Sequence, residues 1–309
     1  MPMKHKIIPL LWGGLASIFL VLITGFVFKI NDFTALKSYG EDPTYKVYAL
    51  DLPDTLSFAG EKVPLHSPDL RERLDRELLV NTYWQSNMML LLKRANKYFP
   101  TIEKILIEEG VPTDLKYLSV IESGLENVVS PAGAKGFWQI MKNTGREYGL
   151  EVNTNVDERN HIGFSTRMAA RYLKKAKDKF GSWTLAAASY NRGMTGIQRN
   201  LNLQKVESYF DLRLGQETSR YVFRILAVKE IIENPPKYGY IFENSDLYYS
   251  VPVHYHGLDT AISNLTTFAE KMGINYKILK IHNPWLLQNH LNNRSRKYYE
   301  IAIPEKGHY

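Results

Sequence analysis

Residues 118–124 read LSVIESG and place a single carboxylate, that of Glu122, on an otherwise apolar stripe. The sequence predicts a helix over Asp114–Ser123, with Thr113 as its N-cap and Gly124 at its end. At helical spacing, two leucines of this segment fall on the same face as the carboxylate. The carboxyl group is therefore expected to point toward a core or the wall of a cleft.

Two interpretations of Glu122 are open. A carboxyl in apolar surroundings has a raised pKa, because burial disfavours the charged form, and a glutamate that keeps its proton near neutral pH can act as a general acid. Alternatively, Glu122 is a helix-terminal glutamate with solvent access, or a buried one in a salt bridge, since structural ion pairs also shift pKa values. This segment alone does not decide between them.

A second segment, GAKGFWQIM at residues 133–141, combines an apolar wall with one placed amide. Its glycines predict a tight loop, and Phe137–Glu147 is predicted to be a helix. Gln139 carries both donors and acceptors, while Trp138 and Met141 are large and apolar. This composition is typical of a sugar or small-ligand pocket, although both apolar side chains could equally be core residues.

A third segment, AAASYNRG at residues 186–193, closes an alanine-rich helix predicted over Trp183–Tyr190. Small side chains let another backbone approach closely. The hydroxyl of Tyr190, at the end of the helix, could hydrogen-bond a carboxyl on a neighbouring helix. The alternative is a core tyrosine with a satisfied hydroxyl.

In this order, the three segments resemble the lytic transglycosylases of the goose-lysozyme-like group (SLT, glycoside hydrolase family 23), and most closely the membrane-bound D-type enzymes. The resemblance extends from about Asn87 to Glu233, roughly half of the chain. It implies a mainly α fold with a lysozyme-like α-helical catalytic domain. The pattern departs from the family at Lys142, Arg192 and residues 160–161, which puts the substrate preference in question more than the chemistry.

The resemblance also implies a role for each matching residue. Glu122 would be the only catalytic acid/base, with Tyr190 orienting it and Asn191 contacting an acetamido group of the sugar. The remaining substrate-binding positions implied are Ser123, Gln139, Met141 and Tyr221, with Glu217 bordering the site. No metal and no cofactor is expected.

The family is taken to cleave the β-1,4 bond between N-acetylmuramic acid and N-acetylglucosamine in peptidoglycan. One carboxylate suffices because the N-acetyl group of the substrate supplies the nucleophile, and the product ends in 1,6-anhydro-muramic acid. Ordinary glycosidases use two carboxylates. A hydrolytic lysozyme would keep the same acid as Glu122, and a catalytically silent peptidoglycan-binding scaffold is a further alternative.

The predicted organisation has four parts. Residues 1–30 form a membrane anchor or signal segment, 31–85 a linker and packing segment, 86–236 the catalytic domain and 248–306 a smaller module. Within the catalytic domain, a helix over Asn87–Glu109 is expected to be interrupted near Pro100.

The first part contains Ile7–Phe28, 22 residues without a charge behind a basic flank. At helical rise this stretch measures about 30 Å, the thickness of a hydrocarbon core. The basic flank predicts a cytoplasmic N-terminus, so the catalytic domain would be anchored to the inner membrane and lie in the periplasm. A cleaved signal peptide is the alternative.

The C-terminal module is predicted to have β-α-α-β order, with an apolar alternating run at 249–253 as the start of its first strand. The sequences GLDT at 257–260 and NPWL at 283–286 resemble a LysM module, which binds N-acetylglucosamine polymers. Glycan affinity is expected of it, so that its removal would weaken peptidoglycan binding and leave cleavage of soluble fragments unchanged. An inert packing domain is the alternative.

The composition limits the binding partners that can be expected of this protein. The 309 residues include no cysteine, so neither a disulfide nor a lipid-anchored N-terminal cysteine is expected. The net charge is +7, but no nucleic-acid motif accompanies it, and the predicted anchor argues against nucleic acid. The expected partners are peptidoglycan glycan strands and the membrane, the latter through the N-terminal helix.

Overall fold

The computed structural model describes residues 47–309, of which Ala49–Tyr309 form one compact unit. The predicted anchor at residues 1–30 lies outside this described part. Between residues 47 and 309, no helix is long and apolar enough to cross a membrane.

The described chain is mainly helical, as predicted, with ten α-helices and two two-stranded antiparallel sheets within residues 47–309. The helices are α1 Pro68–Tyr83, α2 Gln85–Glu108, α3 Lys116–Ser123, α4 Lys142–Glu147, α5 Ile162–Phe180, α6 Trp183–Arg192, α7 Met194–Gln204, α8 Gln216–Glu233, α9 Leu265–Lys271 and α10 Tyr276–His282. The strands are β1 Ser57–Phe58, β2 Glu61–Lys62, β3 Val253–Leu258 and β4 Tyr299–Pro304.

The main core is built around α6 and α8. Three consecutive alanines of α6, residues 186–188, are fully buried, and their small side chains allow α5 and α8 to pack closely on both sides. Each large apolar side chain buried here contributes about 1.5–3 kcal/mol. This core fixes the positions of α3 and α8, the two helices that carry the candidate site.

Helix α1 packs along α8, although it lies in the predicted linker and packing segment. Leu74 and Leu78 of α1 are fully buried. Glu77, also buried, accepts a hydrogen bond of 2.7 Å from Arg220 of α8. A 16-residue helix therefore covers the back of the site helix.

Two predicted helical boundaries are wrong. Helix α2 runs through Pro100 without a break, because Phe99 and Ile102 beside it are anchored in the core while the proline faces solvent. Residues 137–141 are not helical, and α4 begins only at Lys142. Instead, Lys135 and Ile140 pair their backbones by hydrogen bonds of 3.1 and 3.0 Å, which closes residues 133–141 into a loop.

The C-terminal module has the predicted βααβ order and its own core. Strand β3 begins at Val253, where the predicted 249–253 run ends, and pairs with β4 in antiparallel register. Leu265, Leu279 and Ile301 are fully buried between the sheet and the two helices. Val156, which precedes the module by about a hundred residues, is part of the same core.

Candidate active site

Helix α3 presents Glu122 one residue before its C-terminus. A 3-10 turn at Thr113–Leu115 leads into the helix, and Gly124 ends it in the left-handed conformation with a φ of 63°. Thr113 lies inside that turn and makes no side-chain cap, so its predicted capping role is wrong. The apolar stripe is buried as expected, with Leu118 fully enclosed and Glu122 half-buried.

Tyr221 of α8 reaches the carboxyl of Glu122. Its hydroxyl donates a hydrogen bond of 2.5 Å to Glu122 Oε1, and the tyrosine itself is 2% exposed. Burial raises the pKa of the Glu122 carboxyl to about 7, although the Tyr221 hydrogen bond and the charge of Arg224 both act to lower it. Near neutral pH, Glu122 therefore exists in both protonated and ionised forms.

Arg224 is a functional candidate that the sequence analysis missed. It lies one turn after Tyr221 on α8, and its guanidinium donates a hydrogen bond of 2.7 Å to Glu217 Oε1. Within the described residues, its buried Nε has no hydrogen-bond partner. The spacing of Glu217, Tyr221 and Arg224 at i, i+4 and i+7 places them on one helical face, which is the signal that could have identified it.

The end of α3 is tied to the 133–141 loop. Ser123 Oγ donates to the carbonyl of Phe137 at 2.9 Å. Gln139 has a left-handed φ of 43°, and its Nε2 donates to the carbonyls of Val128 at 3.1 Å and Gly136 at 2.9 Å. The amide nitrogen of Gln139 thus stabilises the loop itself. Met141 is 46% exposed.

Tyr190 does not hydrogen-bond Glu122, contrary to the orienting role implied for it. Its hydroxyl donates to the carbonyl of Trp138 at 2.8 Å, and the bond to Glu122 comes from Tyr221 instead. The two hydroxyls point to different partners. Helix α6 places that of Tyr190 against the 133–141 loop, whereas α8 places that of Tyr221 against the Glu122 carboxyl. Burial and the nearby charge of Glu122 hold the pKa of the Tyr190 hydroxyl well above its ordinary value.

Two further predicted residues take supporting positions. Trp138 is fully buried and donates to Thr166 Oγ1 at 2.9 Å, so it belongs to the core rather than to a ligand surface. Asn191 Oδ1 accepts a hydrogen bond of 2.7 Å from Thr218 of α8. This bond fixes the amide of Asn191 close to the face that carries Tyr221.

The carboxylates near Glu122 in sequence are engaged elsewhere. Glu126 is exposed and forms an ion pair of 2.8 Å with Arg94. Asp157 and Glu158 are buried and paired with cationic side chains. In the described part of the chain, no group of three or more His, Cys, Asp or Glu side chains could hold a metal ion.

Two protein-family models match the chain. Residues 100–211 match the transglycosylase SLT domain, and residues 255–307 match the soluble lytic transglycosylase C-terminal LysM-like domain. These matches confirm the resemblance inferred from the sequence, including the lysozyme-like and LysM-like character of the two parts.

The curated proteins that match the chain are also named as lytic transglycosylases. The membrane-bound lytic murein transglycosylases D of Escherichia coli K12 and of E. coli O6:H1 are each 28% identical over 269 residues, covering 82% of this chain. The chain spans 56% of the length of those relatives. Among solved structures, an inactive mutant of the lytic transglycosylase Slt from Pseudomonas aeruginosa is 22% identical with a TM-score of 0.35, covering 49% of this chain and 26% of that one.

Proposed function

We propose that this chain, which carries an SLT transglycosylase domain followed by a LysM-like domain, cleaves the β-1,4 bond between N-acetylmuramic acid and N-acetylglucosamine in peptidoglycan and leaves 1,6-anhydro-muramic acid ends. Glu122 acts as the single acid/base. The observation that carries the proposal is the environment of Glu122, which is half-buried, bonded by Tyr221 at 2.5 Å and shifted to a pKa of about 7.

The reaction needs one group to give a proton and then take one. Protonated Glu122 donates its proton to the glycosidic oxygen as the bond from that oxygen to C1 breaks. The acetamido oxygen of the muramic acid closes onto C1. The Glu122 carboxylate then removes the proton of the 6-hydroxyl, whose oxygen attacks C1 and displaces the acetamido oxygen. A pKa near the operating pH serves both transfers, because each protonation state is then well populated.

Tyr221 and Arg224 support the ionised half of this cycle. Both lower the pKa of Glu122 against the effect of burial. A short hydrogen bond from a neutral hydroxyl stabilises the carboxylate more than the acid, and it also fixes the Oε1 atom in the site. Tyr221 thereby takes over the orienting role first assigned to Tyr190.

An internal nucleophile is favoured over water. An inverting hydrolase needs a second carboxylate roughly 6.5–9.5 Å from the acid to activate water. Glu217, whose charge acts on Glu122, is bonded to Arg224 at 2.7 Å. Glu126, Asp157 and Glu158 form ion pairs with other cationic side chains. The 6-hydroxyl of the substrate needs no such help, because an intramolecular group has a large effective molarity.

The roles proposed for the remaining site residues follow from the contacts that their side chains already make. Asn191 Oδ1 is used by Thr218, so the contact to the acetamido group falls to its amide nitrogen. Met141, half of it exposed, offers an apolar surface to a sugar face. Ser123 and Gln139 hold the loop next to the end of α3 through their bonds to Phe137 and Val128.

The same proposal places the protein in the cell envelope. The relatives are named membrane-bound murein transglycosylases, and the 22 uncharged residues Ile7–Phe28 are long enough to span a bilayer. We place the catalytic domain in the periplasm, held to the inner membrane by this segment. Fractionation followed by N-terminal sequencing tests it, and a mature soluble protein that begins after Phe28 would overturn it.

Cleavage is tested on purified peptidoglycan by the release of soluble sugar. Wild type should release it, and Glu122→Gln should lose about 10²–10⁴-fold of the rate, because glutamine cannot donate an acid proton. Glu126→Gln is the matched control and should retain the wild-type rate. Binding without release by wild type would support a silent scaffold, and an active Glu122→Gln would refute the site assignment.

A further inference from the structure

The C-terminal module contacts residues 151–159, which lead to the loop beside the site, through polar side chains that range from the exposed Lys297 to the buried Glu158, Asp157 and Arg159. We propose that Lys297 of this module is a positioning residue, which acts through Glu158 and Arg159 to hold residues 133–141, here called the substrate loop, in the geometry that binds glycan. The proposal rests on the function proposed above, because it assigns the substrate loop to substrate binding.

Arg159 hydrogen-bonds to the backbone near both ends of the substrate loop. Its Nη1 donates to the carbonyls of Gly133 at 3.0 Å and Ile140 at 3.1 Å. Between these ends, Gly136 sits directly on the Arg159 backbone, where an added Cβ would lie 2.0 Å from the Arg159 carbonyl oxygen. The loop and Arg159 are thus fitted to each other at three points.

Asp157 binds both Arg159 and a residue of the substrate loop. Its carboxylate accepts two hydrogen bonds of 2.8 Å from the Arg159 guanidinium and lies 3.2 Å from Lys135, a residue of the loop itself. Asp157 and Arg159 are only 2% and 5% exposed. In such a buried setting, charged hydrogen bonds are strong and allow little freedom of orientation.

Lys297 of the module binds the segment of residues 151–159 that carries Arg159. Its Nζ donates to Glu158 Oε1 at 2.7 Å and to Glu151 Oε2 at 2.8 Å, and the hydroxyl of Tyr299 donates to the same Glu151 oxygen at 2.8 Å. The second oxygen of Glu158 accepts from the backbone N–H of Glu151 at 2.7 Å. One ammonium group therefore holds the carboxylate of Glu158, which lies between Asp157 and Arg159 in the chain, together with that of Glu151.

Backbone contacts make residues 155–159 part of both units. The N–H of Asp157 donates to the carbonyl of Trp285 at 2.9 Å, and Val156 lies fully buried in the core of the module. The side chain of Asn155 donates to the carbonyl of His290 and accepts from the N–H of Asn292, both at 2.8 Å. The segment that carries Arg159 is thus set by the module.

The chain departs from the family pattern where it meets the module. Asn160 donates to the carbonyl of Pro284 at 3.5 Å, and the ring of His161 lies 6.2 Å from that of Trp285. Residues 283–298 of the module, which connect α10 to β4, thus contact residues 160 and 161 of the catalytic domain. Removing the module would take away these partners, so we expect it to impair cleavage of soluble fragments, against the expectation from sequence.

The test compares Lys297→Met, Lys297→Arg and, as the matched control on the same module, Lys277→Met at an exposed position. Each full chain is assayed for kcat and KM on soluble glycan fragments, and for amide hydrogen exchange at residues 133–141. Lys297→Met should raise KM about three- to tenfold with kcat within about twofold, since the loop affects binding, whereas the Glu122 carboxyl takes its hydrogen bond from Tyr221 of α8 and not from the loop. Exchange in the loop should accelerate.

Lys297→Arg should restore both readouts, because a guanidinium can still bridge two carboxylates, and Lys277→Met should match wild type. Unchanged KM and exchange in Lys297→Met would overturn the proposal, as would a loss that arginine does not repair or a loss of kcat alone. If wild type cleaves no glycan, the proposed function fails, and the exchange comparison still decides whether Lys297 braces the loop.

Discussion

Replacing Glu122 with glutamine is expected to stabilise the folded protein above neutral pH. Burial raises the pKa of this carboxyl from 4.5 to about 7. Between these two values, the folded chain keeps a proton that the unfolded chain has released, so the free energy of unfolding falls as the pH rises. At about 1.36 kcal/mol for each pH unit of displacement, ionising Glu122 costs the folded state about 3 kcal/mol at pH 8.

Glu122→Gln removes this cost. The Gln oxygen can still accept the hydrogen bond from Tyr221, but the new amide needs partners of its own, so part of the gain is lost. We expect the variant to be more stable than wild type by about 1–3 kcal/mol at pH 8, and the advantage to disappear as the pH falls below 4.5, where Glu122 becomes protonated in both states.

Urea unfolding of wild type and variant across this pH range measures the difference directly. Glu270→Gln, at an exposed position of the module, is the control and should give the same small difference at every pH. A Glu122→Gln variant whose stability relative to wild type does not change with pH would refute the argument that a protonated, buried acid exists in this site.

Two further predictions follow from contacts of the site. Tyr221→Phe removes a bond that lowers the pKa of Glu122, so the basic limb of the kcat/KM profile should move to higher pH, and an unmoved limb would show that the bond does not tune the acid. Gly136→Ala should cost about 2 kcal/mol more unfolding free energy than Gly133→Ala, because both have a positive φ but only the first forces a Cβ against Arg159. Equal costs in urea would contradict this packing.

Local chemistry made the helix around Glu122 predictable. The apolar spacing with Leu118 fixed the buried face, and Gly124 supplied the left-handed end. The composition of a helix end is decided by nearby residues, so one sequence contains that information.

The residue that donates a hydrogen bond to Glu122 could not be predicted from the local sequence. Tyr190 and Tyr221 both occupy plausible positions in sequence, and only the packing of α6 and α8 decides which hydroxyl reaches the carboxyl. The helix predicted over Phe137–Glu147 begins only at Lys142 for a related reason. Arg159, about twenty residues away, binds carbonyls of the 133–141 loop and holds it closed, and periodicity does not register such a long-range contact.

The masses of the products released from peptidoglycan test the central claim most directly. Purified peptidoglycan is digested with wild type and with Glu122→Gln, and the glycan ends are weighed by mass spectrometry. If Glu122 is the single acid/base of a transglycosylase, wild type yields 1,6-anhydro-muramic acid ends, about 18 Da lighter than hydrolysis products because no water is consumed, and Glu122→Gln yields almost none. Spectra from wild type dominated by reducing ends would contradict the account and make the protein a hydrolase.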